Sequence, residues 1–386
     1  MNAGLIFLTL AYVLSQFYRA FLAVLAPDLA ADLGIGADAL SRASAIWFVA
    51  FAAMQLPIGW ALDRVGPRRT ASALLGVAGA GGAALFAAAQ ARWQVDLAMG
   101  LIGVGCAPVL MASYYIFART YPAAVFATLA GVLIGVGSLG NIAASLPLAL
   151  VAEAIGWRAT AAGLALATLA VAGGTAACVR DPAPVEGGAG GRLTDLLRLP
   201  AMWAILPMML VNYAPAAGLR GLWAGPYVAD TYGPALVGTA TLAMGLAMIA
   251  GNVAFGTADR LFGTRKWIVF GGNLAGAAAC LALWAAPAPG LWAAVALLAA
   301  IGFLGSSFPL LVGHGRAFFP PALVGRGVTL MNLFGIGGVG VMQFATGPLF
   351  RAAGGGIAGY QALFGAFGLA LLAGCLVYLA APDRTD

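Results

Sequence analysis

The chain has 386 residues, of which 62% are hydrophobic and 8% charged, against about 25% charged in a soluble domain. A water-soluble fold cannot hide that much apolar side chain behind so little polar surface, so the composition specifies an integral membrane protein. The apolar runs are about 20 residues long and mostly unbroken, which favours helices over the short alternating segments of a membrane barrel. At about 30 residues per span and loop, twelve or thirteen spans fit, with no length left for a soluble catalytic domain.

In chain order, hydropathy predicts helices over 3–26, 43–62, 70–91, 95–118, 124–151, 158–178, 201–219, 236–257, 267–287, 291–316, 323–349 and 358–381. The N-terminus lacks the basic stretch of a cleaved signal peptide and is taken as the first span. The longest polar stretch, Arg180 to Pro200, opens on a Pro/Gly-rich half that reads as a flexible linker. Its second half, RLTDLLRLP, has the pattern of a short amphipathic surface helix. The expected architecture is therefore an all-α membrane protein of twelve transmembrane helices. They form two pseudo-symmetric six-helix bundles, 1–180 and 201–386, joined by the linker 181–200.

The net charge of +6 is read as loop charge rather than as a nucleic-acid surface. With both termini cytoplasmic, thirteen basic residues fall on the cytoplasmic side: Arg64, Arg68, Arg69, Arg119, Arg180, Arg192, Arg198, Arg260, Arg265, Lys266, Arg316, Arg326 and Arg384. Five, Arg42, Arg92, Arg158, Arg220 and Arg351, fall outside. That asymmetry sets the orientation by the positive-inside rule. Arg outnumbering Lys and the Ala/Gly bias suggest a bacterium of high genomic GC, hence its inner membrane. Cys106, Cys178, Cys280 and Cys375 are far apart and form no metal pattern. No cofactor is expected. The expected partners are a small-molecule substrate and the lipid bilayer, with no nucleic acid, and the protein is expected to be a monomer.

The two halves echo each other. GWALDRVGPRRT after the second span is matched by GTADRLFGTRKW after the eighth, with Asp63-Arg64 and Asp259-Arg260 196 residues apart. Pro27 and Gly34 are matched 199 residues later by Pro226 and Gly233, and Pro122 is matched 198 later by Pro320. A tandem duplication of six spans accounts for all three. Six spans return the chain to its starting side, so the repeats are parallel, with a central cavity expected between them.

The loop motif G-x-x-x-D-R-x-G-x-[RK]-[RK] stands here as Gly59, Asp63, Arg64, Gly66, Arg68 and Arg69, with a degenerate second copy around Asp259 and Arg260. On this motif, the duplication and the span count, the chain resembles the major facilitator superfamily over essentially its whole length. The resemblance implies movement of small solutes by alternating access. The motif's Asp beside Arg residues is a charge relay suited to latching cytoplasmic faces together, and its Gly residues permit a tight turn.

All thirteen acids fall near helix ends or in loops, and none in the middle of a span. A cationic substrate, or a proton carried on a membrane-embedded carboxylate, lacks its usual device. Arg19, in SQFYRAFLAV, does enter the first span, where a charge costs about 2.5–3.5 kcal/mol near the centre. Its counterpart is Arg220, six residues before Pro226 as Arg19 is eight before Pro27. Guanidinium holds carboxylate or phosphate through paired hydrogen bonds, so one Arg per half suits an anion. The first span resembles that of the superfamily's organic-anion branch, in which an acid precedes the Arg; here the preceding residue is Tyr18. Structural alternatives are pairing of Arg19 with Glu153 and snorkelling of Arg220 to the outer interface.

Further lining candidates are Gln16, Tyr18, Tyr114, Tyr115, Asn141, Asn212, Tyr213, Trp223, Asn252, Asn332 and Gln343. Tyr114-Tyr115 and Asn212-Tyr213 lead, because in this fold the fourth and seventh helices line the cavity. Neighbours on a helix point about 100° apart, so one of each pair faces a substrate and the other bonds between helices. His314 is a possible proton site, or a residue of the cytoplasmic mouth beside Arg316. The glycine clusters Gly131–Gly140 and Gly335–Gly340 read as close-packing surfaces. The Gly-Pro signature of the family's drug antiporters is absent from the fifth helix, where Leu146 precedes Pro147; Gly347-Pro348 lies in the eleventh. A transporter of a small organic anion, a carboxylate above all, is the leading expectation. Efflux of neutral amphiphiles and a non-transporting receptor or scaffold are the alternatives, and no enzyme constellation is present.

Overall fold

The computed structural model describes residues 3–120, 129, 132–182, 193–320 and 324–384, with side chains except at 63, 118, 193, 194, 257, 259, 260 and 324–326. The chain divides into two compact units, Met1–Gly187 and Gly188–Asp386. Ten helices are long and apolar enough to cross a membrane, and two bent pairs bring the spans to twelve.

In the first unit the first span is Ala3–Tyr18 with Phe21–Leu33, bent by 48°. The second to fourth are Ala37–Leu62, Pro67–Ala87 and Arg92–Phe117. The fifth is Val132–Ala143 with Leu146–Ile155, bent by 42°, and the sixth is Trp157–Cys178. The expected start of the fifth, 124–131, lies outside the described residues apart from Leu129. In the second unit the spans are Pro200–Tyr232, Pro234–Gly256, Lys266–Ala285, Leu291–Arg316, Gly327–Ala352 and Gly356–Tyr378. Only the last four residues before the turn at 197, Leu193–Leu196, are helical in the polar segment after Arg192. Leu196 packs into the second unit's core with Met202, Ile205 and Met331.

Prolines punctuate these spans. The helix breaks at Ala107-Pro108, at Ala144-Ser145 before Pro147, at Tyr213 before Pro215, and at Ser306-Ser307 before Pro309. Each proline withdraws one backbone donor and crowds the preceding turn, so the chain restarts there as a new helix. Pro27 and Pro226 act differently. Both were expected to follow their spans, yet the helices run through them to Leu33 and Tyr232. Losing one hydrogen bond there costs less than leaving the next turn of backbone unpaired at the membrane boundary.

The duplication is visible in the packing. A Cβ at Gly140 in the fifth span would collide with the Val13 carbonyl of the first. A Cβ at Gly338, 198 residues later, would collide with the Leu210 carbonyl of the seventh. Gly137 and Gly335, also 198 residues apart, press on rings of non-equivalent spans, Tyr12 of the first and Phe308 of the tenth. In each unit a glycine stripe lets two backbones approach closely, and any side chain there pushes them apart.

Candidate functional site

Arg19 occupies the break in the first span, between Tyr18 and Phe21. Its guanidinium carbon lies 5.6 Å from the ring centroid of Trp47 and 5.0 Å from that of Phe51, both on the second span. Trp47 is stacked on Phe51 at 5.2 Å, and its backbone is pressed against Gly103 of the fourth span, so the aromatic platform is rigid. Cation–π attraction returns about 0.5–2 kcal/mol against about 2.5–3.5 kcal/mol for a charge near the membrane centre. The rings therefore offset only part of the cost. No acid lies within ion-pair distance of Arg19 among the described residues; the ion pairs there are Arg42–Asp96, Arg158–Asp32 and Arg198–Asp195. Glu153, the partner considered from sequence, is exposed.

Three polar atoms around this break are buried without a hydrogen-bond partner: Arg19 Nε, Trp47 Nε1 and Gln16 Oε1. Gln16 lies three residues before Arg19, in the last turn of the helix Ala3–Tyr18. Gln16 Nε2 donates to the Tyr12 hydroxyl at 3.1 Å, which leaves its carbonyl oxygen as the unmet group. Buried polar groups are paired in the great majority of cases, so two orphan donors and an orphan acceptor along this stretch make it a candidate site. Trp47 was missed by sequence reasoning. Its one signal was position: Trp favours membrane interfaces, and this one is mid-span.

Tyr18 turns away from this face. It is 1% exposed and bonds Thr168 Oγ1 of the sixth span at 2.8 Å, a helix–helix contact. Tyr114 packs beside the buried cluster of Leu75, Val109 and Leu133. The Tyr115 ring carries the Arg119 guanidinium at 4.3 Å.

In the second unit Arg220 does not snorkel. It is 2% exposed, in a stretch, Leu219–Trp223, where the seventh span widens to π-helical bonding. A Cβ at Gly245 would lie 2.8 Å from its Nη2, so the guanidinium rests on a glycine of the eighth span. Gly245 is 198 residues after Trp47, the residue under Arg19. Removing Arg220 from the outer side leaves four basic residues there against thirteen. Tyr213 is half-buried and packs on Phe308 at 5.3 Å. Asn212, 1% exposed, donates to Asn273 Oδ1 and Ser307 Oγ at 2.8 and 2.9 Å. Trp223 Nε1 donates to Gln343 and Thr346, and Gln343 Nε2 to the Gly218 carbonyl, tying the seventh span to the eleventh. His314 is fully buried, with Nε2 on the Pro382 carbonyl at 2.9 Å and Nδ1 on the Tyr378 hydroxyl at 2.6 Å. Both ring nitrogens are thus engaged inside the unit.

The motif loop is held by an acid that sequence reasoning did not single out. Asp181, just past the sixth span, accepts from the Arg68 backbone N–H at 2.7 Å at the start of the third span. Gly66 has φ +95°, and a Cβ there would meet the Asp181 carboxylate at 2.8 Å, so the glycine serves both the turn and the contact. Gly59, by contrast, sits inside the helix Gln55–Arg64 in open space and makes no turn. Arg64 lies over Trp60, 5.7 Å from its centroid, and Arg69 is exposed. The second unit repeats the device. Asp383, past the twelfth span, accepts from the Lys266 and Arg265 N–H groups at 3.0 and 3.3 Å, beside Gly263 with φ +63°. Burial pushes the Asp383 carboxyl up, but bonds from Thr264, Lys266 and Arg265 and the nearby His314 outweigh it, so it is held below its ordinary value. The side chains of Asp63, Asp259 and Arg260 lie outside the described ones.

The Major Facilitator Superfamily family model matches residues 8–219, more than half of the chain, and the protein belongs to that superfamily. It is a multi-pass membrane transporter, not an enzyme. A search of curated proteins finds no significant sequence match. Solved structures share the fold. A bacterial homolog of the human lysosomal transporter Spinster is 18% identical, covering 98% of this chain and 96% of its own, with TM-score 0.72. A D-xylose–proton symporter is 15% identical over 98% of each chain, with TM-score 0.75. The nucleoside transporter NupG is 14% identical over 98% of this chain and 100% of its own, with TM-score 0.76.

Proposed function

We propose that the protein carries a small organic anion, with a carboxylate as its charged group, and that Arg19 is the anchor. The observation that carries this reading is the buried, unmet trio of Arg19 Nε, Trp47 Nε1 and Gln16 Oε1 around a guanidinium with no acid within ion-pair distance among the described residues. The anionic group takes the Arg19 and Trp47 donors. Gln16 Oε1 takes a hydroxyl or amine proton of the substrate, and the faces of Trp47 and Phe51 take its apolar part. Tyr18 and His314 are left out of the path, because their polar atoms already serve contacts between helices or with the C-terminal segment, and so is Asn212, whose amide nitrogen is committed to Asn273 and Ser307. Arg220 belongs to the second unit's buried interior, and Tyr213 and the Tyr114-Tyr115 pair stay as secondary lining candidates. The charge asymmetry of the loops supports cytoplasmic termini in a bacterial inner membrane. We take the working form to be a monomer without nucleic acid.

The test is thermal stability of the purified protein against a panel of organic and inorganic anions, repeated on Arg19→Ala. Stabilisation by one or more carboxylates in the wild type, lost in the variant, is expected. Stabilisation by none, or equal stabilisation of both proteins, returns Arg19 to a structural role and favours neutral amphiphiles as cargo.

A further inference from the structure

The second unit holds a buried polar cluster whose orientation is determined by its own hydrogen bonds. The Val269 carbonyl can only accept, and Asn273 gives it an amide N–H at 2.7 Å. Asn273 must therefore turn its Oδ1 towards Asn212, which donates to it at 2.8 Å and to Ser307 Oγ at 2.9 Å. That commits the Asn212 amide nitrogen and leaves Asn212 Oδ1 buried with no partner. Asn212 and Asn273 both line a cavity of about 10 Å³, shared with Pro215, Ala216, Gly276 and Gly305, the room taken by one water or one small ion.

The surroundings offer neutral oxygens at two helix breaks. The helix Pro200–Asn212 ends on Asn212, and the helix Leu291–Gly305 ends two residues before Ser307. Two helix C-termini meet at the cluster, each followed at once by the N-terminus of the next helix, Ala214–Gly218 after Tyr213 and Phe308–Arg316 after Ser307, and no charged side chain lines the cavity. Broken helices that aim their C-terminal ends and neutral oxygens at one point are the means by which membrane transporters hold alkali cations. Neutral oxygens alone suffice for that in a selectivity filter. The fold itself does not require polarity here. In the first unit Leu75 and Val109, 198 residues before Asn273 and Ser307, lie together in an apolar cluster.

We propose that Asn212, Asn273 and Ser307 form a monovalent-cation site that takes Na+, with Asn212 Oδ1 as its principal ligand. The proposal goes beyond the anion reading and stands separately from it, because Na+ binding is measured here without substrate. The experiment is equilibrium binding of radiolabelled Na+ to the full-length purified protein, with N-methylglucamine as the inert replacement cation. Saturable binding is expected in the wild type, together with a melting temperature higher in Na+ than in N-methylglucamine. Asn212→Leu should lose the binding. Asn212→Asp keeps the shape and adds a titrating oxygen, so it should bind Na+ about tenfold more tightly, with an affinity that rises with pH. It also stands in if the leucine variant does not fold. No saturable binding by folded wild-type protein means that the cavity holds a water, and overturns the proposal. So does binding that Asn212→Leu leaves intact, or an Asn212→Asp affinity equal to that of the wild type.

Discussion

The two units use one duplicated scaffold and place their buried unmet polar atoms differently. Around Arg19 in the first, an amide oxygen, an indole N–H and a guanidinium N–H are left without partners. In the second, Trp223, Gln343, Thr346 and the Gly218 carbonyl satisfy one another, as do His314, Tyr378 and Pro382, while the unmet Asn212 Oδ1 stands beside a cavity that no charged side chain lines. Equal hydrophobicity thus hides different purposes. Polar groups that find each other join helices, worth about 0.6 kcal/mol each on average in a membrane. Polar groups left unmet in a desolvated place are costly, and each calls for an explanation such as strain, a water, an ion or a ligand. The residue under each arginine shows the same divergence: Trp47 forms a platform in one unit, and Gly245 makes room in the other.

The largest effect that separates the units is expected from the arginine of the first. Arg19→Ala should weaken anion binding about 100-fold while leaving the melting temperature of the ligand-free protein unchanged or higher, since an isolated buried charge is removed. Titration calorimetry and a melt of the same sample check both parts. The glycine stripes should respond alike in the two units. Gly140→Ala and Gly338→Ala each drive a methyl into a backbone carbonyl of the neighbouring span, at a cost of about 1–3 kcal/mol. A melting temperature lowered in only one of them would break the equivalence of the repeats.

The smallest effect belongs to the acid that caps the ninth span. Asp383 has its pKa lowered in the folded protein, so its contribution is present above the unfolded carboxylate value of about 3.9. It is lost as the pH falls through the lower folded value. Because the carboxylate is exposed, Asp383→Asn should cost only about 0.5 kcal/mol at neutral pH, and progressively less at an acid pH below the unfolded carboxylate value. Chemical denaturation at both pH values reads the difference.

What could be read from the chain divides along physical lines. Spans and duplication were legible because hydropathy, loop charge and proline or glycine landmarks are local and additive. Arg19 was legible because a charge inside an apolar run needs an explanation. Trp47 was not, since to hydropathy it is one more large apolar residue. Tyr18 and Asn212 were placed among the lining candidates because a polar residue's direction about its helix depends on the neighbour it meets. Here those neighbours are Thr168, Asn273 and Ser307, remote in sequence. Arg220 was set at the outer interface by ending its helix at 219, and the continuation through Pro226 buries it. Asp181 and Asp383 escaped notice because their task exists only once the chain returns to the start of the third and ninth spans.

The central claim is that the unmet donors beside Arg19 hold the substrate's anionic group. The most direct test is the dissociation constant, by titration calorimetry, of the best-stabilising carboxylate for Trp47→Phe. That variant keeps an aromatic ring beneath the guanidinium and removes the indole N–H together with one of the two fused rings. Loss of one neutral hydrogen bond predicts about three- to tenfold weaker binding, beside a ligand-free melting temperature lowered by the volume lost at a buried site. Affinity equal to that of the wild type would show that the Trp47 donor does not touch the anion, and would contradict the site described here.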